Sequence, residues 1–292
     1  MKSAVVLMAY GSPSRPEDVR AYFEDIRGGP VPEAAVEELA ERYRRIGGSP
    51  LNEITERQRA ALERELGMPV YVGMKHWRPR IAEAADRAVA EGAQRVTGLV
   101  LAPHFSHMSI GGYHRQLEEA LAGKAELVFI AGYGASEPFV DVVAGRIRGT
   151  EAHVVFTAHS LPERILRNGD QYRGQLLESS RLVADRAGVE SWSFAFQSES
   201  ATGEPWLGPD ILDELERLHA EGVRKVLVAP VGFVADHLEI LWDIDVEARE
   251  KAEELGLELD RIESLNDDPA FIRVLAALVR EVPVYEPRIP VP

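Results

Sequence analysis

The chain repeats itself, and this repeat limits the folds open to it more than any other feature. Residues 5–13 (VVLMAYGSP) resemble residues 154–162 (VVFTAHSLP), and AEGAQRV at 90–96 resembles AEGVRKV at 220–226. Each member of the second pair leads into an apolar run that ends in Ala-Pro. Internal similarity of this kind indicates two copies of one structural unit.

Apolar runs of strand length alternate with amphipathic stretches of helix length. The strand candidates are Ala4–Met8, Pro69–Met74, Val96–Ala102, Leu127–Ile130, His153–Thr157, Ser191–Phe196, Val223–Ala229 and Glu258–Ile262. The helix candidates are Pro32–Ile46, Ile54–Leu66, Pro79–Glu91, Tyr113–Leu121, Gln171–Ala187 and Asp210–Glu221. Such alternation is typical of α/β folds in which helices cover parallel sheets.

Together, the repeat and the alternation predict two similar α/β domains. Each is expected to be a small doubly wound parallel sheet of about four strands flanked by helices. We predict one domain over residues 1–132 and the second over residues 133–265, joined near Gly132–Pro138. Residues 266–292 are expected to form a C-terminal helix and a proline-rich tail. Ligands of open parallel sheets bind beyond the carboxyl ends of the strands, so the site should lie in the cleft between the domains.

Composition excludes several classes of function. The net charge is −15, which disfavours general binding of nucleic acid or anionic membrane. The absence of cysteine excludes disulfides, thiolate zinc sites and an iron–sulfur cluster held by cysteine. The first apolar run, Ala4–Ala9, is too short for a signal peptide core or a membrane span. We therefore expect a cytoplasmic protein without stable membrane insertion.

Carboxylates gather after the apolar run that ends at Ala229. A helical pattern begins near Asp236, and Glu239, Asp243 and Glu247 follow each other at intervals of four, which places them on one face of an α-helix. A line of acidic residues is ordinarily a solvated helix face. The apolar neighbours of this line leave little room for water, which favours a role in binding divalent cations or moving protons.

Two proton-bearing side chains occupy equivalent places in the repeat. Tyr10 and His159 each follow an apolar run, where side chains of a parallel sheet turn into the cleft. A single histidine at a strand end is commonly structural, but facing a line of carboxylates it is equally compatible with metal binding. His104 and His107 lie in a loop and are interpreted as structural. Ser160 lacks the Gly-x-Ser-x-Gly context of a hydrolase nucleophile, and phosphate-binding glycine loops are absent from the sequence.

Basic residues cluster early in the chain, interleaved with aromatic residues. They are Arg15, Arg20, Arg27, Arg42, Arg44 and Arg45, with Tyr22, Phe23 and Tyr43 between them. Such a cluster is usually a solvated helix face. In a strongly acidic chain it is also suited to a flat aromatic ligand that carries carboxylates, through stacking and arginine–carboxylate pairs.

Several motifs, in order along almost the whole chain, resemble the ferrochelatase family. They are AYG at 9–11, YRRIGGSPL at 43–51, APHFS at 102–106, AHSLP at 158–162, QS at 197–198, PWLGP at 205–209 and FVADHLE at 233–239. The resemblance implies two Rossmann-like domains with the active site between them. It further implies insertion of Fe²⁺ into a porphyrin in haem biosynthesis, with no cofactor beyond the iron that is itself a substrate.

Residue roles follow from the same resemblance. His159 and Glu239 are implied to receive iron at the porphyrin face and to be catalytic, with Tyr10 as an axial group on the opposite face. Asp243 and Glu247 are implied to continue the metal path towards solvent. Contacts to the porphyrin are implied for Arg27, Arg42, Tyr43, Ser49 and Tyr113. His76 matches a further cleft histidine.

Substrate type is also suggested by the resemblance. The segments MKH at 74–76, APHFS at 102–106 and QSE at 197–199 resemble the Gram-positive type, which uses coproporphyrin III. Alternatives are a protoporphyrin IX ferrochelatase, a chelatase that loads cobalt or nickel into another tetrapyrrole, and a noncatalytic carrier of haem or metal. The expected partners are the porphyrin, Fe²⁺ and, transiently, other enzymes of the haem pathway, and the expected state is a monomer.

Overall fold

Two four-stranded parallel sheets form the framework of the molecule. The computed structural model describes residues 1–200 and 203–281, so the predicted proline-rich tail lies outside the described residues. The first sheet contains β1 (Ser3–Ala9), β2 (Val70–Met74), β3 (Arg95–Val100) and β4 (Glu126–Ile130). The second contains β5 (His153–His159), β6 (Trp192–Gln197), β7 (Lys225–Ala229) and β8 (Glu258–Arg261). Every predicted strand is therefore present.

The two sheets share one topology, which confirms the repeat. The strand orders are β2-β1-β3-β4 and β6-β5-β7-β8, so the central strands β1 and β5 occupy equivalent places. In register, Val5 pairs with Val70 and Thr97, and Val154 pairs with Trp192 and Leu227. Both central strands are continuous apolar runs because helices cover both faces of each sheet.

Helices connect the strands on both faces. They are α1 (Val19–Arg27), α2 (Glu33–Arg45), α3 (Leu51–Leu66), α4 (Ile81–Ala90), α5 (Ile110–Leu121), α6 (Glu137–Ile147), α7 (Arg164–Arg167), α8 (Tyr172–Ala187), α9 (Ile211–Ala220), α10 (Leu238–Leu241), α11 (Arg249–Leu255) and α12 (Pro269–Glu281). All six predicted amphipathic stretches are helical. Among the described residues, no helix is long and apolar enough to cross a lipid bilayer.

Helix α6 lies outside the stretches that the sequence pattern predicted as helical, and it begins at the predicted junction between the halves. In α6, Pro138 lies in the first turn, and Phe139, Val143 and Ile147 recur every four residues on the buried face. Proline at a helix start is compatible with the helix, because the first amide groups have no intrahelical partner. The domain boundary near residue 132 stays a prediction.

A hydrophobic core runs through both halves of the molecule. Val5 and Leu62 from the first half belong to the same buried cluster as Phe156 from the second half. The C-terminal helix α12 adds Phe271 and Leu275 to this cluster and packs against both α3 and α6. The last described helix therefore returns to the first half and ties the two sheets together.

The acidic segment departs from the regular helix that the sequence predicted. Helix α10 begins at Leu238, two residues later than expected, because His237 has extended backbone with φ of −159°. Residues Asp243–Ala248 then form a π-helical segment, in which the Trp242 carbonyl accepts hydrogen bonds from the amides of Val246 and Glu247, at 3.1 and 2.9 Å. Asp243 and Glu247 thus lie on a π-helical segment that follows Glu239 of α10, and the three carboxylates do not share one straight α-helical face. Irregularities of this kind occur often at functional sites.

Candidate active site

The carboxyl ends of the two sheets supply the side chains of the site. Tyr10 directly follows β1, and His159 is the last residue of β5, the equivalent strand of the second sheet. Gln197 ends β6 beside His159, and its Nε2 donates to the Glu239 carbonyl at 2.7 Å. This arrangement agrees with the expectation that the cleft lies beyond the strand ends.

His159 and Glu239 form an ion pair in the cleft. The distance from His159 Nε2 to Glu239 Oε1 is 3.5 Å, and the two side chains are 31% and 30% exposed. On the other side of the imidazole, Nδ1 is hydrogen bonded to the Ser160 carbonyl. A carbonyl only accepts, so Nδ1 carries a proton and Nε2 is the nitrogen that can exchange a proton or bind a metal.

Electrostatics favour the charged form of both partners. Burial lowers the pKa of His159, but the Glu239 carboxylate, the Ser160 carbonyl and Asp243 together outweigh burial and raise this pKa to about 9. Burial raises the pKa of Glu239, but His159 and His237 outweigh burial and hold it well below its usual range. In the free protein at neutral pH, the pair is therefore an imidazolium beside a carboxylate.

Glu239 also contacts a second histidine. His237 Nε2 lies 3.4 Å from Glu239 Oε2, while its Nδ1 is 2.9 Å from the Ala235 carbonyl. No periodic pattern in the sequence indicates this contact of His237, because the contact depends on the extended turn before α10. Glu239 is consequently held between two imidazoles.

Asp243 lies behind Glu239 and is more deeply buried. Its carboxylate, 8% exposed, accepts a hydrogen bond from the Ser198 hydroxyl. Burial and then the Glu239 charge raise the pKa of Asp243 to about 7, with a further contribution from Glu247. Ser198 has a φ of 65°, an unusual left-handed conformation for a residue other than glycine, and this backbone turn directs the chain towards Asp243.

The predicted order of the acidic line is retained in the structure. Besides burial, the charges of Glu239 and Glu247 both raise the pKa of Asp243, and Glu247 is half-buried. Glu247 also contributes, after burial, to the raised pKa of Asp210 at the start of α9. In the part of the chain that the structure describes, no three or more of these groups converge as a ready-made metal centre. The carboxylates form a succession of groups that begins at the His159–Glu239 pair.

The charge of Glu239 affects three tyrosines of the first half. Burial raises the pKa of Tyr10, Tyr43 and Tyr113, and the negative charge of Glu239 adds to the effect at all three. Leu238, the residue before Glu239, packs against the cluster that contains Tyr22 and Tyr43, so the acidic segment lies against the first half. Tyr10 remains 38% exposed, whereas Tyr43 and Tyr113 are 7% and 4% exposed.

The arginines of the early basic cluster differ in whether they already form an ion pair. Arg42 donates to Glu38 at 2.9 Å and lies 5.4 Å from the Trp242 ring centre, which links α2 to the acidic segment. Arg27 is exposed, lies 5.4 Å from the Phe23 ring, and lowers the pKa of Tyr10 by its charge. Among the ion pairs of the described residues, none includes Arg27, so its guanidinium is available to an anionic ligand near Tyr10.

Ser49 and Ser160 both form hydrogen bonds with backbone groups. Ser49 Oγ accepts from the Leu51 amide at 3.4 Å, at the start of α3. Ser160 is 1% exposed, and its hydroxyl donates to the Leu207 carbonyl at 2.7 Å. The contact of Ser160 gives it a structural role and agrees with the rejection of a hydrolase.

A lysine that the sequence did not single out lies in the cleft. Lys75 Nζ is 5.1 Å from the Tyr113 ring centre and 6.0 Å from that of Tyr10. Desolvation by burial, and then the Arg115 charge, lower the pKa of this lysine. The ring of its neighbour His76 lies 4.6 Å from the Tyr10 ring at an interplanar angle of 52°, and His76 is hydrogen bonded through Nδ1 to Asp25 at 2.9 Å. Lysines in loops carry no periodic signal, so only the fold could identify Lys75.

The profile of the family described as Ferrochelatase matches residues 2–282. The chain belongs to the ferrochelatase family. It is 45% identical to the ferrochelatase of Herpetosiphon aurantiacus, with 95% of this chain and 98% of that protein covered. It is 38% identical to the coproporphyrin III ferrochelatase of Geobacillus kaustophilus, with 95% of both chains covered.

A solved structure gives the same architecture. SirB from Bacillus subtilis with Fe3+ superposes with a TM-score of 0.63 at 12% identity, over 96% of this chain and 95% of that one. At this identity the likeness concerns the fold alone, two similar Rossmann-like halves. The predicted fold and the predicted enzyme family are thus confirmed. Ferrochelatases such as this one are porphyrin metal chelatases, with iron as a substrate.

Proposed function

We propose that this ferrochelatase inserts Fe²⁺ into coproporphyrin III and releases the iron coproporphyrin for haem synthesis. The observation that carries the proposal is the His159–Glu239 pair, 3.5 Å apart, at the carboxyl end of the second sheet, with Tyr10 at the equivalent strand end of the first sheet. A flat macrocycle between these groups would have a base and a carboxylate at one face and a phenol at the other.

The chemistry requires two pyrrole protons to leave while the metal sheds water. His159 and Glu239 together bind one proton in the free protein, so arriving Fe²⁺ must displace that proton before Nε2 can act as ligand or base. Once neutral, Nε2 accepts the two pyrrole protons one after the other and passes each to solvent by way of Asp243, while the carboxylate of Glu239 offsets the charge of the cation. The two groups titrate as a coupled pair, and a pH–rate profile reports the pair.

The outer carboxylates serve as the route for the metal in this proposal. Asp243 adjoins Glu239 and, with a pKa of about 7, changes charge near neutral pH. Glu247 lies one step further from the pair. Asp243 and Glu247 therefore pass hydrated cations inwards or protons outwards, while Glu239 alone of the three meets the metal at the ring.

Substrate choice is inferred from the cations of the first half. Coproporphyrin III carries four propionates, whereas protoporphyrin IX carries two. Arg27 and Lys75 lie on the Tyr10 side of the cleft, and Arg42, Tyr43, Ser49 and Tyr113 are proposed to complete the porphyrin contacts. Relatives from Geobacillus kaustophilus and Oceanobacillus iheyensis, at 38% and 37% identity, bear the name coproporphyrin III ferrochelatase. These names support coproporphyrin III, the porphyrin with four propionates, as the substrate.

The test compares the two porphyrins as substrates of the purified protein. Anaerobic turnover with Fe²⁺ should give a higher kcat/KM for coproporphyrin III, and this preference should weaken as salt is added, because the extra propionates bind through charge. Arg27→Gln should reduce the preference. Arg20→Gln removes the same charge from an arginine that is paired with Glu33 and should leave the preference unchanged.

Two outcomes would change the assignment. A larger kcat/KM for protoporphyrin IX would make the protein a protoporphyrin ferrochelatase. A single burst of metallated product without further turnover would indicate a carrier of haem or metal. We also propose a monomeric, cytoplasmic enzyme that meets other haem-pathway enzymes transiently, which size-exclusion chromatography and cell fractionation test.

A further inference from the structure

Glu239 lies between two segments whose backbones are irregular. Residues 235–237 before it are not helical, and the π-helical segment Asp243–Ala248 follows it. Helix α10 itself has four residues, too few to be stable without tertiary contacts. The position of the Glu239 carboxylate therefore depends on what holds the flanking segments.

One guanidinium joins both flanking segments. Arg261 donates through Nε and Nη2 to the two carboxylate oxygens of Asp245, at 2.8 and 2.7 Å, within the π-helical segment. Its Nη1 lies 3.3 Å from Asp236 Oδ1, on the other side of Glu239. The same group thus links the residues before and after α10, from outside the cleft.

The Asp236 end of this link is anchored further. Its two carboxylate oxygens accept from Ser264 Oγ at 2.7 Å and from Asn266 Nδ2 at 3.0 Å. The Asp236 amide in turn donates to Asn266 Oδ1 at 2.9 Å, and the Asn266 carbonyl accepts from Gln58 Nε2 of α3 at 2.7 Å. The turn before Glu239 is therefore connected to the first half of the molecule.

Arg261 is well placed to act as a rigid brace. It is the last residue of β8 and pairs with Val228 of β7, so its backbone is part of the second sheet. Its side chain is only 12% exposed. A planar guanidinium that binds both oxygens of a carboxylate fixes orientation as well as distance, which the single ammonium of lysine does not.

We propose that Arg261 is a positioning residue for metal delivery, because it braces Asp236 and Asp245 on the two sides of Glu239. The brace fixes the π-helical geometry in which Asp243 lies behind Glu239 and ahead of Glu247. Arg261 touches neither porphyrin nor iron in this account. The proposal rests on the proposed iron-insertion function. It adds a residue that affects how tightly the enzyme binds iron without contacting either substrate.

The test separates iron use from porphyrin use. In Arg261→Gln, the KM for Fe²⁺ should rise about tenfold or more, as is typical when a partner that orients metal ligands is lost. The KM for porphyrin should stay within about twofold, since the porphyrin contacts lie on the other half. Asp245→Asn should reproduce the effect because it removes the same two-point contact. Arg261→Lys keeps the positive charge but not the planar guanidinium that binds both oxygens of Asp245. It should therefore reverse less than half of the rise in KM for Fe²⁺ seen in Arg261→Gln.

A matched control comes from the same half of the chain. Arg217 of α9 also binds one carboxylate through two nitrogens, to Glu214 at 2.6 and 2.9 Å. Both charges act on His153 at the amino end of β5, the end opposite to the one that carries the site. Arg217→Gln should lower thermal stability without changing the KM for Fe²⁺. If Arg261→Gln behaves like Arg217→Gln, or if Asp245→Asn leaves iron use unchanged, Arg261 is merely structural and the proposal is wrong.

Equilibrium binding provides a readout that does not depend on turnover. Anaerobic calorimetry of Fe²⁺ with the porphyrin-free protein should show about tenfold weaker binding in Arg261→Gln than in the wild-type protein. Equal binding by the two would overturn the positioning role. A wild-type protein that binds iron but inserts none would instead refute the proposed function. The difference in iron binding between the wild-type protein and Arg261→Gln would still test the positioning role of Arg261.

Discussion

Replacement of Glu239 by Gln should turn His159 from a cation into a neutral imidazole at neutral pH. At 3.5 Å and an effective dielectric constant of about 20, two unit charges attract by about 5 kcal/mol. Burial of the imidazole opposes this attraction, and the pKa of His159 settles at about 9. Without the carboxylate, burial dominates, and the pKa should fall below its ordinary 6.5. This change is worth about 3 kcal/mol, at about 1.4 kcal/mol per pH unit.

The effect of Glu239→Gln on stability should depend on pH. Because folding raises the pKa of His159, the ion pair stabilises the protein fully below pH 6.5 and loses this effect as the pH rises through about 9. The free energy of unfolding of the wild-type protein should therefore exceed that of Glu239→Gln most at pH 6. The difference should shrink by about 3 kcal/mol as the pH rises to 9.

The assay is an NMR titration of the imidazole nitrogens in protein labelled with ¹⁵N. The chain has eight histidines, so the His159 resonances are assigned by their loss in His159→Gln. Glu247→Gln is the control, because it removes a carboxylate further along the line and should leave the pKa of His159 nearly unchanged. A His159 that still titrates near pH 9 in Glu239→Gln would refute the reasoning, since the Ser160 carbonyl and Asp243 would then suffice.

Three further predictions concern the same line of groups. His159→Ala should abolish iron insertion while the circular dichroism spectrum stays that of a folded protein; unchanged turnover would remove His159 from the mechanism. Glu247→Gln should raise the Fe²⁺ concentration at half-maximal rate and leave kcat nearly unchanged, whereas a fall in kcat at saturating iron would make Glu247 a chemical participant. Asp243→Asn should stabilise the protein more at pH 8 than at pH 5, and urea unfolding should show a difference of about 3 kcal/mol. The reason is that folding raises the pKa of the Asp243 carboxyl from 3.8 to about 7, so the wild-type protein becomes less stable as the pH rises through that range. An equal gain at both pH values would contradict this.

The fold was largely predictable because its signals are local and repeated. The two central strands are continuous apolar runs, and the duplicated segments specify the same topology twice. Strand ends were predictable for the same reason, so Tyr10 and His159 were correctly expected at equivalent places. The sequence does not predict helix α6, because its start coincides with the linker-like residues Gly132–Pro138.

The details of the site depend on contacts that no periodic pattern encodes. The intervals between Glu239, Asp243 and Glu247 predicted a regular α-helix, yet the carbonyl of Trp242 accepts from two amides and the backbone becomes π-helical. His237 reaches Glu239 only because of an extended turn, and Lys75 reaches the Tyr10 ring only because the sheet brings β2 beside β1. Tertiary contacts over long sequence separations decide such positions.

The return of α12 to the first half has a consequence for the order in which the protein acquires its structure during synthesis. Ribosomes make the chain from its N-terminus, and Val5 and Leu62 leave the ribosome long before Phe271 and Leu275, which share their hydrophobic cluster. The first sheet can pair its strands early, but part of its apolar surface stays uncovered until α12 emerges. Although the two halves are copies of one unit, they complete their packing together, and a nascent chain stalled before residue 269 would expose the surface of α3 on which α12 packs.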